Sequence, residues 1–180
     1  MKHKLILFSF SACLFMVGPV LTAETDPPET LVDKGACPFE CCTYRTWYVE
    51  KATELREKPE INSKVLSSVK PGDRVEAITG EVHVTAGKFL VKRQFSRFKP
   101  GDLILVYTYL GEGRFKVWFN GQYYEEDLDF SPYSPIGKES RLGEFQNEPV
   151  SICWVKIKTQ DGQIGWSNLP DHFSNKDACS

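Results

Sequence analysis

The chain has 180 residues, 13% of them aromatic, and its 24 Asp and Glu outnumber its 22 Lys and Arg, which gives a formal net charge of −2 at pH 7. A chain with this balance offers no basic stripe to nucleic acid, so nucleic-acid binding is excluded. The length fits one domain, or two very small barrels that share a core, and the aromatic side chains suffice to build that core.

Residues 1–23 have the organisation of a secretory signal peptide. Lys2 and Lys4 form a basic start, and residues 5–20 form an apolar run. Cleavage is predicted after Ala23, whose small side chain suits a cleavage site. The apolar run is short for a membrane span and is interrupted by Ser, Gly and Pro, so cleavage is favoured over a membrane anchor. We therefore predict a secreted or periplasmic protein that has no integral membrane segment after cleavage.

Lipidation at Cys13 is a less favoured alternative. Cys13 follows Ser11 and Ala12, as in a lipoprotein signal, but the apolar run continues beyond it through Val17. A lipidated cysteine should instead begin a polar mature chain.

The segment after the signal, residues 24–36, is acidic, contains Pro27 and Pro28, and has few side chains to bury. These features predict a flexible leader that carries no chemistry. With Lys2 and Lys4 removed, 20 basic residues face 24 acidic ones, so the mature chain is mildly acidic, near −4.

The cysteines predict a disulfide-bonded protein. Six occur, and Cys13 leaves with the signal, so an odd number remains and at least one thiol lacks a partner within the chain. Disulfides are the default in exported small domains, which favours this role over metal or redox chemistry. The connectivity stays open, but we favour a link between the N-terminal cluster and the C-terminal cysteine, which would fasten both chain ends. The disulfide candidates are Cys37, Cys41, Cys42 and Cys179.

Cys153 has a different predicted place, because strand alternation puts it with Val155 and Ile157 on a buried face. Zinc-ligand spacings such as Cys-x2-Cys do not occur in the sequence, and His83 lies far from His172. We therefore predict neither a metal nor another cofactor.

The most specific pattern of the chain lies in residues 55–78. A Leu-Arg pair leads to a turn at Pro59, three apolar residues follow at 65, 66 and 69, and Lys-Pro-Gly-Asp at 70–73 precedes a strand that begins at Val75. A second pattern, at residues 154–167, has a Trp-x-Lys strand, an Asp-Gly turn and a Gly-Trp strand. Together the two patterns resemble the two halves of a bacterial SH3-like domain, a small β-barrel module of secreted proteins.

An internal repeat indicates a second, related unit. Lys-Pro-Gly-Asp occurs again at residues 99–102, and a second apolar strand follows it. The SH3-like β domain is therefore predicted at residues 37–180, with a first unit at about 43–80 plus 150–170 and an inserted second unit at about 81–130. The predicted fold is all-β, with two related SH3-like barrels packed together, one inserted in or swapped with the other.

The resemblance implies a binding function. Bacterial SH3-like domains are often targeting modules that attach secreted enzymes or envelope proteins to peptidoglycan, and others bind proteins. The sequence contains no Gly-x-Ser-x-Gly or His-Glu-x-x-His, and neither His83 nor His172 comes with a recognisable nucleophile motif. We therefore predict a module of a bacterial cell envelope that is not an enzyme and whose partner is a cell-wall component or a protein.

Aromatic side chains are the candidate ligand contacts. An Asn-Gly pair at 120–121 predicts a hairpin, and in the predicted strands Trp118 and Trp154 alternate with inward apolar residues, so both point outward. Such rings would form an aromatic groove for a glycan, a peptide or a protein. The alternative is that they cover the joint between the two units. The predicted ligand-binding residues are Trp118, Trp154, Tyr107, Tyr109 and Tyr124.

An acidic edge offers a second function. Glu125, Glu126 and Asp127 could meet a basic partner, as in a secreted interaction or inhibitor protein, although a solvated strand end is the simpler interpretation. An enzyme of unrecognised kind is the third alternative, and it requires a histidine to cluster with Cys153 or with the acidic edge.

Overall fold

A computed structural model describes residues 26–36, 41–130 and 140–178, so the signal peptide, Cys37 and Cys179 lie outside the described residues. Within these ranges the chain forms thirteen β-strands, one short 3-10 helix and no α-helix, which confirms the all-β prediction. The described part of the chain contains no helix of the length and hydrophobicity that a membrane span requires. In chain order the strands are β1 (Thr30–Lys34), β2 (Thr46–Val49), β3 (Thr53–Arg56), β4 (Val65–Val69), β5 (Arg74–Thr85), β6 (Gly87–Val91), β7 (Leu103–Gly111), β8 (Arg114–Phe119), β9 (Gln122–Asp127), β10 (Gly143–Asn147), β11 (Val150–Lys158), β12 (Ile164–Ser167) and β13 (Phe173–Ser174), and the 3-10 helix covers Pro170–His172.

Eight of the described strands form the larger sheet, which is curled into a half-barrel. Its order is β13-β2-β5-β11-β12-β3-β4, and β1 pairs with the second half of β5. The long strand β5 organises this sheet, because β2 and β1 share one of its edges and β11 pairs along the other. One face of the sheet covers a hydrophobic cluster that we call core one. Core one consists of Trp47, Val49, Leu55, Val69, Val75, Ala77, Val155, Ile157 and Phe173.

The chain between β5 and β11 forms the smaller sheet, in the order β10-β6-β7-β8-β9. Because β5 and β11 pair with each other, this sheet is inserted between two neighbouring strands of the larger one. Its two ends touch, since a Cβ at Gly87 would lie 2.5 Å from the Pro149 nitrogen. It has its own hydrophobic cluster, core two, which consists of Phe89, Val91, Phe98, Ile104, Val106, Phe115, Val117, Leu128 and Phe130.

The boundaries of the inserted sheet lie later than the predicted 81–130. Residues 81–85 belong to β5 of the larger sheet, and Gly143–Asn147 adds a fifth strand to the smaller one. β10 pairs with β6 rather than with its neighbours along the chain, and such a non-local pairing leaves no turn signal in the sequence.

The prediction of a flexible leader is wrong for residues 30–34, which form β1. This strand pairs in register with β5, from Thr30 opposite Thr85 to Lys34 opposite Glu81. Four of its five side chains are exposed, so backbone hydrogen bonds rather than side-chain burial hold it in place. A composition that is poor in apolar residues does not reveal such a strand.

The two Lys-Pro-Gly-Asp segments fold into the same turn. In both, the Asp amide donates to the Lys carbonyl at 3.0 Å, and an Asp carboxylate oxygen accepts a bond from the Lys amide at 2.7 Å. Gly72 and Gly101 have φ values of 91° and 96°. This left-handed conformation, directly after a proline, is that of a type II turn, and glycine adopts it without strain.

The strands around the two turns correspond as well. The carbonyls of Val49 in β2 and Val91 in β6 each accept a bond from the turn glycine at 2.9 Å. β2 and β5 of the larger sheet therefore occupy the same places as β6 and β7 of the smaller one, and the larger sheet adds the β3–β4 hairpin between them. The equivalent buried cross-strand pairs are Trp47 with Val75 and Phe89 with Ile104.

Candidate functional site

The hairpin of β8 and β9 positions an aromatic pair. Asn120 and Gly121 have φ values of 47° and 81°, as in a two-residue type I′ turn, and this confirms the predicted hairpin. The turn fixes the register, so Trp118 lies directly opposite Tyr123. The two rings meet edge to face, with their centroids 4.8 Å apart.

Trp118 and Tyr123 belong to a row of side chains that crosses four strands. In register, the row runs from Lys88 through Leu105 to Trp118 and Tyr123, with one residue each from β6, β7, β8 and β9. These residues alternate with core residues along their strands, so the row lies on the face of the smaller sheet that points away from core two. We call it the aromatic row. Both of its rings are half-buried, and the neighbouring Leu103 is 44% exposed.

Charged side chains surround the aromatic row. The Lys116 ammonium lies 5.0 Å from the centroid of the Tyr123 ring, within the range of a cation–π contact. Glu125 lies opposite Lys116 in the ladder and is exposed. The row therefore offers flat apolar surface beside groups that donate and accept hydrogen bonds.

Tyr107 lies on the same face but is not available to a ligand. Its side chain is only 1% exposed, and its hydroxyl donates to the Pro28 carbonyl at 2.6 Å. Burial raises the pKa of this hydroxyl to about 12. The prediction of an outward Tyr107 is wrong, because the ring joins the smaller sheet to the segment before β1.

Tyr109 and Tyr124 lie on the opposite face, packed against core two. Tyr109 is paired with Phe115, at a centroid distance of 5.0 Å. Tyr124 is opposite Val117 of core two, and the Arg97 guanidinium stacks 3.7 Å from its centroid. The prediction that these two rings face outward with Trp118 is wrong. Tyr124 follows the inward alternation of β9, and Tyr109 turns inward because the register between β7 and β8 shifts after Val106.

Trp154 is on the predicted face but is buried, with an exposure of 2%. It lies opposite Glu81, and its ring centroid is 6.4 Å from that of His83. Glu81 and His83 bond to each other at 3.0 Å beside the ring. The alternation along β11 is correct, but the prediction of an exposed ligand contact at Trp154 is wrong because neighbouring side chains cover it.

Two further aromatic residues, not among the predicted ligand contacts, are partly exposed on the sheets. Tyr123 shares the face of Trp118, and Trp166 is half-buried on the larger sheet, with the Lys156 ammonium 5.6 Å from its ring centroid. Tyr123 could have been found by counting outward from the turn, because a residue two places before Asn120-Gly121 must face the residue two places after it.

The acidic edge is not one continuous negative surface. Glu126 turns toward core two with only 11% of its side chain exposed, and it accepts bonds from Arg97 at 3.2 Å and Ser96 at 3.0 Å. Asp127 accepts a bond from the Asp129 amide at 2.8 Å. Glu125 and Asp127 are the exposed members of the predicted edge.

The structure does not bring His83 and Cys153 to one face. His83 is in register with Ile152, so it lies on the opposite side of the sheet from Cys153. Burial raises the pKa of the Cys153 thiol, which disfavours the reactive thiolate. Cys153 is half-buried on the face of Val155, in agreement with the predicted strand alternation.

His172 also has a structural contact, because its Nδ1–H donates to the Ala52 carbonyl at 3.1 Å. Among residues 26–36, 41–130 and 140–178, no three or more His, Cys, Asp and Glu side chains are grouped so that they could hold a metal ion.

The N-terminal cysteines lie beside the C-terminal segment. The Thr43 amide donates to the Lys176 carbonyl at 2.8 Å, and the Ala178 amide donates to the Cys41 carbonyl at 2.9 Å. Because Cys37 and Cys179 are outside the described residues, the connectivity of the disulfides stays a prediction.

No family model matches the chain, and no curated protein or solved structure is significantly similar to it. The resemblance to bacterial SH3-like domains therefore stays a prediction from the sequence.

Proposed function

We propose that the chain is an exported, non-catalytic binding module of a bacterial cell envelope, which recognises a cell-wall glycan or peptide, or a protein, through the aromatic row. The observation that carries the proposal is the pair of Trp118 and Tyr123, held edge to face on the side turned away from core two. Apolar and aromatic side chains that gather on such a face are typical of binding surfaces.

The chemistry around the pair supports this role. Indole and phenol rings give a rigid, amphipathic contact area at a low cost in conformational entropy. Leu103 and Leu105 extend the apolar surface, while Lys116 and Glu125 can orient polar groups of a ligand. The same combination suits the ring of a sugar and the side chains of an extended peptide.

The fold supports the proposal of two related SH3-like units. The repeated turn, the equivalent buried pairs and the shared strand order argue for one unit present twice. Export is supported by the cysteines at 37, 41, 42 and 179 as disulfide candidates, because disulfides persist in oxidising compartments.

A sedimentation experiment with purified peptidoglycan tests the glycan and peptide branch. The mature protein should be retained in the pellet, and Trp118→Ala should release it. Truncation of a central tryptophan costs about 2 kcal/mol or more, which weakens binding roughly thirtyfold. Trp166→Ala is the matched control, because it removes a half-buried tryptophan from the larger sheet.

Two outcomes would count against this branch. Absence of retention would rule out the cell-wall ligand, and equal release by Trp118→Ala and Trp166→Ala would remove the aromatic row from the interaction. A near-ultraviolet circular dichroism spectrum of each variant verifies that the fold is kept.

The acidic edge remains an alternative surface for a basic protein partner. It is favoured by one observation, that β9 is the end strand of the described smaller sheet and carries the exposed Glu125 and Asp127. An electrostatic partner of this kind would be released by added salt, whereas a partner on the aromatic row would be less sensitive to salt.

A further inference from the structure

A polar cleft lies where the larger sheet curls back on itself. β4 ends the described sheet and pairs with β3, yet residues 67–69 face the start of β5 and the turn between β11 and β12 across an open gap. The cleft has a volume of about 290 Å³, at the small end of ligand-binding cavities. A second groove, of about 280 Å³, shares Arg74 and Gln160 with it and continues it along β5.

The floor of the cleft is apolar and its walls are polar. Val69 and Val75 form the floor, and both belong to core one. Hydroxyls, two side-chain amides, two carboxylates and one guanidinium form the walls. A surface of this kind matches a ligand that has a C–H face and a rim of hydrogen-bonding groups.

Ser67 marks the cleft as an incomplete hydrogen-bonding site. It is in register with Leu55 of core one, so its side chain points to the inside of the curled sheet. Its Oγ is buried and has no hydrogen-bond partner within the described part of the chain. Buried hydroxyls are normally satisfied, and a ligand in the cleft would supply the bond.

Arg74 supplies donors that the fold does not use. Its guanidinium lies 6.0 Å from the centroid of the Tyr48 ring, and none of the hydrogen bonds or ion pairs of the described residues involves it. The two carboxylates, in contrast, are used within their own turns. Asp73 accepts a bond from the Lys70 amide at 2.7 Å, and Asp161 accepts a bond from a threonine hydroxyl within its own turn.

The charges and hydrogen-bonding groups define the class of ligand. Two carboxylates against one guanidinium disfavour an anion. The amides of Gln160 and Gln163 and the Ser67 hydroxyl all donate and accept, as sugar hydroxyls do. We propose that the cleft binds a neutral sugar, with Arg74 and Gln163 donating to its hydroxyls. The site is on the larger sheet and does not depend on the aromatic row.

Nuclear magnetic resonance titration of the mature ¹⁵N-labelled protein tests the proposal. The probes are N-acetylglucosamine and its β-1,4-linked disaccharide. Acetate, a small anion, is the control for binding through negative charge. We expect the sugars to shift the amide signals of residues 67–75 and 159–163. The monosaccharide represents a free sugar and the disaccharide a glycan end, and shifts at the cleft with either one support the site.

Variants assign the contacts. Gln163→Ala, in an exposed turn, and Arg74→Ala should each weaken sugar binding by about tenfold. This is the effect expected when one hydrogen bond to a well-placed partner is lost. Arg114→Ala, an exposed arginine of the smaller sheet, is the control and should leave the titration unchanged.

Three results would overturn the sugar site. They are no localised shift with either sugar, a stronger response to acetate than to the sugars, and sugar shifts confined to the neighbours of Trp118. The last result would leave the proposed function of the aromatic row intact. Conversely, sugar-induced shifts at the cleft without peptidoglycan retention would support the sugar site and contradict the proposed function of the aromatic row.

Discussion

Asp73 and Asp102 occupy the same position in two copies of one turn. The carboxylate of each accepts a bond from the amide of the lysine three residues earlier, at 2.7 Å in both cases. The two turns lead into β5 and β7, which belong to different sheets and cover different cores. One local interaction is therefore used twice, once for each core.

Replacing either aspartate should destabilise its own sheet. Asp73→Ala and Asp102→Ala should each lower the free energy of unfolding by about 1 kcal/mol, the net value of one hydrogen bond. Denaturant unfolding measures the loss, and hydrogen exchange should show it first in the larger sheet for Asp73→Ala and in the smaller sheet for Asp102→Ala. Asp33→Ala, on the exposed side of β1, is the control. The same exchange pattern in both variants would contradict the prediction.

This turn is the part of the fold that the sequence predicts best. Proline restricts its own φ, and glycine alone adopts a positive φ without strain, so the order of these residues specifies the turn wherever it occurs. Asn120 and Gly121 specify the β8–β9 hairpin for the same reason. Turn conformations of this kind can therefore be predicted from the few residues that form them.

The faces of the aromatic residues were harder to predict, because they depend on register. Counting from the hairpin turn pairs Trp118 with Tyr123 and so assigns Tyr124 to the core side. No such count reaches Tyr109, since the ladder between β7 and β8 is irregular between Val106 and Tyr109 and shifts the alternation. A β-bulge of this kind depends on both strands and cannot be recognised from one.

Burial was the property that the sequence predicted least well. Trp154 is on the expected face but buried. Tyr107 is also buried, and its hydroxyl donates to the carbonyl of Pro28, which is 79 residues away along the chain. Contacts between distant segments decide these cases. Of the five predicted ligand contacts, only Trp118 combines an outward position with a partly exposed ring.

The predicted disulfides can be tested by peptide mapping of the protein under non-reducing conditions. Because the Ala178 amide bonds to the Cys41 carbonyl, we expect one cysteine of the N-terminal cluster to be linked to Cys179. Reduction should lower the free energy of unfolding by about 2–5 kcal/mol, the usual cost of removing a native disulfide from a small domain. Cys179→Ser should increase hydrogen exchange at Thr43 and leave β8 unchanged. Recovery of Cys41 and Cys42 as alkylated thiols without reduction would contradict the prediction.

Two tyrosine hydroxyls anchor the segments on either side of β1. Tyr107 donates to the Pro28 carbonyl and Tyr44 to the Ala36 carbonyl, both at 2.6 Å. Most side chains of β1 are exposed and make little contact with the sheet. The two tyrosine hydrogen bonds therefore help to hold β1 in place at both of its ends. Tyr107→Phe and Tyr44→Phe should each cost about 1 kcal/mol and should increase exchange in β1 before the rest of the larger sheet.

The attachment of β1 should also be lost at alkaline pH. Burial raises the pKa of Tyr44 and of Tyr107 from 10.0 to about 12, so the unfolded chain loses these protons at lower pH than the folded protein does. The stability that the hydroxyls contribute is therefore complete below pH 10 and disappears as the pH rises through about 12. Thermal unfolding across this range, followed with tyrosinate absorbance, measures the effect. The double variant with Phe at both positions should show a flatter decline than the wild type, whereas Tyr48→Phe, an exposed ring, should not. Parallel declines in the wild type and the double variant would show that other groups cause the alkaline loss.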